Sequence, residues 1–172
     1  MKDEFEPRFV GDLTITQLSR AWRLFRVEKT ITFFPDAESW IIGEGIEIPE
    51  GFITDGPSVP QFFWNILPVW GSWALAGVLH DWLCCRIELG HPHPLAQTRP
   101  ECDQMFSLAA KALRVPSIPR FLLQLGIWLG TEFGIRTTMV LNNEKLQAAL
   151  KVVQTGGRNA DYPNKVVADP RR

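Results

Sequence analysis

The chain has 172 residues, enough for one domain with a real hydrophobic core. Its 18 basic and 19 acidic side chains give a formal charge of −1, with no sign of the broad phosphate-neutralising surface a DNA binder carries, so no nucleic-acid partner is expected. The charged start MKDEFEPRFVGD has no apolar segment typical of a secretory signal. The three cysteines cannot all pair with one another, so reduced thiols in a cytoplasm are expected rather than a disulfide scaffold.

The first half is predicted to form strands. Trp22–Val27 alternates imperfectly, and Thr30–Phe34 is rich in the β-branched and aromatic side chains that suit a pleated surface. Pro35-Asp36 is turn chemistry, and Trp40-Ile-Ile leads on to Gly43-Glu-Gly45. Ile46, Ile48, Phe52 and Ile53 then complete a strand pair broken at Pro49-Glu-Gly51. Asp55-Gly56-Pro57-Ser58 is a tight turn, since Asp can bond its own following backbone and Gly permits positive φ.

From about Gly71 the period becomes helical. Trp73, Gly77, His80 and Cys84 share one face, and Ala74, Val78, Asp81 and Cys85 share the next. A loop over Gly90–Pro100 precedes a second helix, Glu101–Leu113, which should bury Met105, Phe106, Ala109 and Leu113 and carries Asp103 near its start. Val115-Pro116 ends it. A third helix, Pro119–Thr138, places Gly126, Gly130 and Gly134 four apart, a costly stripe that suits close approach of another helix or a ligand groove. Its apolar run Phe121–Phe133 contains Gln124 and Glu132 and is too short to span a bilayer. A last helix is expected over Asn143–Val153. The expected architecture is α+β: a small N-terminal antiparallel sheet, then three to four packed helices, in one domain over residues 1–155 with a flexible polar tail at 156–172.

Asp55, His80, Asp81 and Asp103 form the candidate site. Consecutive helical residues point about 100° apart, so His80 and Asp81 must serve different partners. Asp81 can face the Asp55 turn, whose carbonyls and carboxylate are oxygen ligands for a hard cation such as Ca²⁺. His80 can hand one ring nitrogen to Asp103, leaving the other to take a proton from water. Together these would make a metal-assisted hydrolase site. The structural alternative has His80 pairing inside the core and Asp81 bonding the backbone of the turn at Gly56–Ser58. A zinc site from Cys84, Cys85, His91, His93 and Cys102 has suitable ligand types without zinc-knuckle spacing. Cys84 as a nucleophile has His80 one turn away but no evident oxyanion donors. The His-Asp phosphohydrolases need a further histidine upstream, and no histidine precedes His80.

Three ordered segments resemble a family of phage and prophage proteins known as domain of unknown function 1353. They are Ile48-Pro-Glu-Gly-Phe-Ile-Thr-Asp-Gly-Pro-Ser-Val-Pro60, Ala76-Gly-Val-Leu-His-Asp-Trp-Leu83 and Cys102-Asp-Gln-Met-Phe106. The resemblance covers roughly Trp22–Phe133. It implies a phage or prophage origin and supplies no activity. A more distant likeness is to small phospholipases A2, with their glycine-containing turn, His-Asp helix and later Asp on a facing helix. It implies His80 as base, Asp103 as its partner, Asp81 as the Ca²⁺ carboxylate and the Thr54–Ser58 turn, with Asp55 and Gly56, as the carbonyl donor. The chain departs from these patterns at Pro57, where the first family has Ala, and at Cys84, where both have Tyr. The bracing disulfides of secreted phospholipases are absent.

Two functional expectations follow. One is a phage-encoded Ca²⁺-assisted esterase or related hydrolase acting on a lipid or ester substrate. The other is a virion or tail-assembly protein, in the host cytoplasm or the particle, that uses its abundant Trp and Phe and its tail to bind phage structural proteins.

Overall fold

The computed structural model describes residues 5–19, 24–54, 56 and 71–132. Six short strands come first: β1 (Arg8–Val10), β2 (Ile15–Ser19), β3 (Leu24–Val27), β4 (Ile31–Phe34), β5 (Ile46–Ile48) and β6 (Ile53–Thr54). A short helix, α1 (Ala37–Ile42), interrupts them, and α2 (Ala74–Glu88), α3 (Arg99–Ala112) and α4 (Ser117–Glu132) follow. The α+β class is the one expected, but the strands make two three-stranded antiparallel sheets rather than one, ordered β1-β4-β5 and β2-β3-β6.

Ile46–Ile48 and Ile53–Thr54 do not pair with each other. β5 lies against β4, with Ile48 opposite Ile31 and Ile46 opposite Phe33, while β6 lies against β3, with Thr54 opposite Phe25. The link between them is tied to the end of β3: Gly51 N donates to Val27 O at 2.7 Å, and Val27 N donates to Phe52 O at 2.9 Å. Pro49 and Gly51 thus mark a crossing from one sheet to the other. That crossing lets Ile46, Ile48 and Phe52 all be fully buried, which a simple hairpin would not achieve.

Trp40-Ile-Ile, expected as an extended lead into Gly43, is helical instead. Asp36 caps the helix by accepting from Ser39 N at 2.8 Å, and Gly43, at φ 75°, closes it in the left-handed conformation. Two good caps on six residues outweigh the β-propensity of the isoleucines. Gly45, just before β5, has a different constraint: a Cβ there would lie 2.6 Å from Thr32 Cγ2 and 2.8 Å from the Phe33 carbonyl oxygen.

One core joins sheets and helices. Val27, Ile31, Phe33, Ile46, Ile48 and Phe52 pack with Val78, Leu79 and Leu83 of α2 and with Phe106 and Ala109 of α3. Phe52 meets the Trp82 ring edge-on at 5.1 Å between centroids. α2 is buried on nearly every side, whereas α3 buries one stripe, with Met105 and Leu113 half-buried at its margin. Glu101 accepts from the backbone N–H groups of Gln97 and Thr98 at 2.7 and 2.8 Å, which fixes where α3 begins. The expected third helix is present as α4 to Glu132. Its continuation to Thr138, the Asn143–Val153 helix and the 156–172 tail lie outside the described residues, and among the described residues no helix is long and apolar enough to cross a membrane.

Replacing Gly45 with Ala should destabilise the fold by about 1–3 kcal/mol, because the backbone of β4 has to shift to admit the methyl group. Equilibrium urea unfolding reads this as a lower midpoint at unchanged slope.

Candidate active site

The middle of α2 carries two adjacent polar side chains, His80 and Asp81, in a helix whose neighbouring positions Leu79, Trp82 and Leu83 are all buried. Removing such groups from water without partners costs several kcal/mol, so each must be met by another element. The helical rotation sends them to different ones.

His80 meets α3. Its Nε2 lies 2.7 Å from Oδ1 of Asp103, with the two side chains only 16% and 15% exposed. An ionised Asp103 can only accept, so Nε2 carries the hydrogen and Nδ1 is the nitrogen left for other chemistry. The Phe106 ring stands edge-on to the imidazole at 6.0 Å between centroids. One turn along α2, Cys84 Sγ lies 3.7 and 3.8 Å from the two ring nitrogens and is also hydrogen-bonded to Cys102 of α3.

Burial alone would lower the His80 pKa. Negative charge at Cys84 and the hydrogen bond to Asp103 outweigh it, and the net direction is upward. The Cys84 thiol is itself pushed up, by the Cys102 hydrogen bond and by burial, so it is neutral at physiological pH. With Cys84 neutral, the hydrogen bond and the charge of Asp103 are what favour the protonated imidazole at physiological pH. Cys102, hydrogen-bonded by Cys84 and near Arg99, is lowered.

Asp81 meets β6 instead. Thr54 Oγ1 donates to Asp81 Oδ2 at 2.6 Å and accepts from Gly56 N at 2.9 Å. Thr54 is fully buried, so its hydroxyl relays the start of the turn onto α2. Asp81 reaches the start of this turn through the side-chain hydroxyl of Thr54, and Pro57 and Ser58 lie outside the described residues. Asp55 itself lies outside the described residues. The donors here are all oxygen, which suits a hard cation in kind. Among the described residues, however, no three His, Cys, Asp or Glu side chains gather as a metal cage. A cation at this turn would rest on Asp81, Asp55 and the oxygens at Thr54 and Gly56.

The remaining histidine with a described role is structural. His93 Nδ1 accepts from Leu95 N at 3.2 Å within the loop before α3, and burial together with nearby Arg86 pushes its pKa down to about 4. Two features escaped sequence reasoning. The Cys84–Cys102 contact joins residues 18 positions apart on different helices. The second is a groove of about 490 Å³ between α3 and α4 that has Asp103 in its wall. Gln124, which also lines it, is the residue whose polarity interrupts the apolar run of α4, and that was its only signal in the sequence.

A group whose pKa is raised on folding stabilises fully below its ordinary value and loses that contribution as pH climbs through the raised one. Above pH 6.5, the ordinary His value, the melting temperature should therefore fall with pH, and the slope should flatten in His80→Gln. His93, pushed down, is largely neutral in both states over that range. Replacing Thr54 with Val should cost about 1–3 kcal/mol, since it strips Asp81 and the Gly56 amide of a buried partner. Chemical denaturation measures it.

The model of a family described as a protein of unknown function (DUF1353) matches residues 35–127, more than half of the chain and all of the span from α1 through α2 and α3 into α4. No curated protein and no solved structure matches the chain. The paired His80 and Asp103 and the Thr54–Asp81 link all fall within the matched span, and the chain belongs to the DUF1353 family.

Proposed function

We propose that this protein is a hydrolase whose proton-transfer unit is His80 with Asp103, acting on an ester. The observation that carries the reading is the 2.7 Å contact between Nε2 and Oδ1, made at the junction of two helices and beside a groove. Asp103 holds the ring orientation and the tautomer with the proton on Nε2. Neutral Nδ1 then removes a proton from water as the water oxygen attacks the ester carbonyl, and returns that proton to the departing alkoxide, so the ring ends as it began. Because the imidazole is held protonated, the working base is populated only as pH rises, and the rate climbs on the alkaline side. Ca²⁺ held by Asp81, Asp55 and the oxygens at Thr54 and Gly56 would polarise the carbonyl under attack. The setting is a phage or prophage, with the protein in the host cytoplasm or the particle.

A second reading, a tail-assembly or virion protein without chemistry, is favoured by one observation: six large apolar side chains, Trp40, Ile41 and Ile42 on α1 and Ile118, Phe121 and Trp128 on α4, are from 43% to 79% exposed.

A panel of chromogenic esters, with and without Ca²⁺, separates the two. The hydrolase reading expects turnover that increases with pH. It also expects a drop in kcat/KM of about 10²–10⁴-fold in His80→Gln, whose amide can still donate to Asp103, with circular dichroism unchanged. Equal rates in wild type and variant, or no turnover together with co-sedimentation with phage particles, would overturn it.

A further inference from the structure

The groove between α3 and α4 has a consistent electrostatic character. Its walls include Asp103, Gln104 and Ser107 from α3 and Phe121, Gln124 and Trp128 from α4, and among the described residues no Lys, Arg or His lines it. Asp103 is shared with the dyad: Oδ1 is taken by His80, and Oδ2 has no hydrogen-bond partner among the described residues. Gln124 contributes a carbonyl oxygen that is shut off from solvent and likewise has no partner among the described residues. An acceptor left in that state carries an uncompensated desolvation cost, which a ligand supplying a donor would remove. Phe121 and Trp128 lie 66% and 52% exposed, so their ring faces are open to a ligand. The cavity volume, about 490 Å³, is within the range used for small ligands.

A carboxylate oxygen, an orphan amide oxygen and two π-faces all attract the same thing, a positively charged donor of N–H groups on an apolar stem. An ammonium is compact and strongly hydrated. A guanidinium is planar, carries five donors, sheds water more readily and stacks on indole. The geometry points to the α3–α4 groove as a binding site for a guanidinium group: one N–H edge meets Asp103 Oδ2, another meets Gln124 Oε1 once that amide turns from the interior into the groove, and the plane lies against Trp128. The stem runs along Phe121. This site needs the groove and not the hydrolytic reading, and it is tested by binding without turnover, so either can fail while the other stands.

The test is calorimetric titration of the full chain with three probes: Nα-acetyl-arginine amide, butylguanidine and Nα-acetyl-citrulline amide. The citrulline compound keeps shape and replaces the cation with a neutral urea. Saturable binding of the arginine compound, at least tenfold tighter than the citrulline one, is expected. Butylguanidine binding equally well would identify a free guanidino compound as sufficient, and much weaker binding would identify an arginine within a peptide. Gln124→Leu should weaken binding by about tenfold or more while leaving the unliganded melting temperature equal or higher, because the variant removes an unsatisfied acceptor. Trp128→Ala should weaken it severalfold. Absence of saturable binding by both guanidinium probes, equal affinity for the citrulline compound, or full affinity in Gln124→Leu would overturn the proposal.

Discussion

A helix buried on nearly all sides has no room for an idle polar side chain, and α2 carries two in its middle. The cost of desolvating His80 and Asp81 exceeds what either could recover by itself, so the positions of α3 and β6 are bound to satisfying them. His80 draws in Asp103, and Asp81 draws in Thr54 and, through its hydroxyl, the Gly56 amide. Sheet, turn and helices are thus joined at one helical turn of α2.

An arrangement of this kind is an expensive way to hold a fold together. A buried ion pair seldom stabilises more than well-packed apolar side chains of the same volume would, and the surrounding core of Phe52, Leu79, Leu83 and Phe106 shows that such packing is available. What the pair provides instead is a fixed tautomer and an imidazole whose charge depends on its partner. Cys84 fits the same account. Its thiol is neutral, buried and committed to Cys102, so it adds a weak polar neighbour without competing for Asp103.

The opposite side of Asp103 faces a groove whose polar atoms are incompletely satisfied. The same carboxylate therefore belongs to two environments, one closed around His80 and one open between α3 and α4. Exposed apolar side chains continue along α4 from Ile118 to Trp128. This leaves an open surface between α3 and α4, while Val27, Ile31, Phe33, Ile46 and Ile48 of the strands are occupied with the core.

Much of this was legible before any coordinates. The change of period near Gly71 separates strands from helices, and the 100° rotation between adjacent helical residues already requires His80 and Asp81 to part. The reach of His80 to Asp103 follows from those two facts and an antiparallel helix pair. Local chemistry was misread where caps rather than side-chain preference decide, as at Asp36 and Gly43 around Trp40-Ile-Ile. The division of Ile46–Ile48 and Ile53–Thr54 between two sheets, the Thr54 hydroxyl as intermediary, the thiol contact between α2 and α3 and the donor-hungry groove were decided by tertiary structure alone. Each depends on distances between segments far apart in the chain, set by how the whole core closes, and periodicity reports only which face a residue occupies, never what stands opposite it.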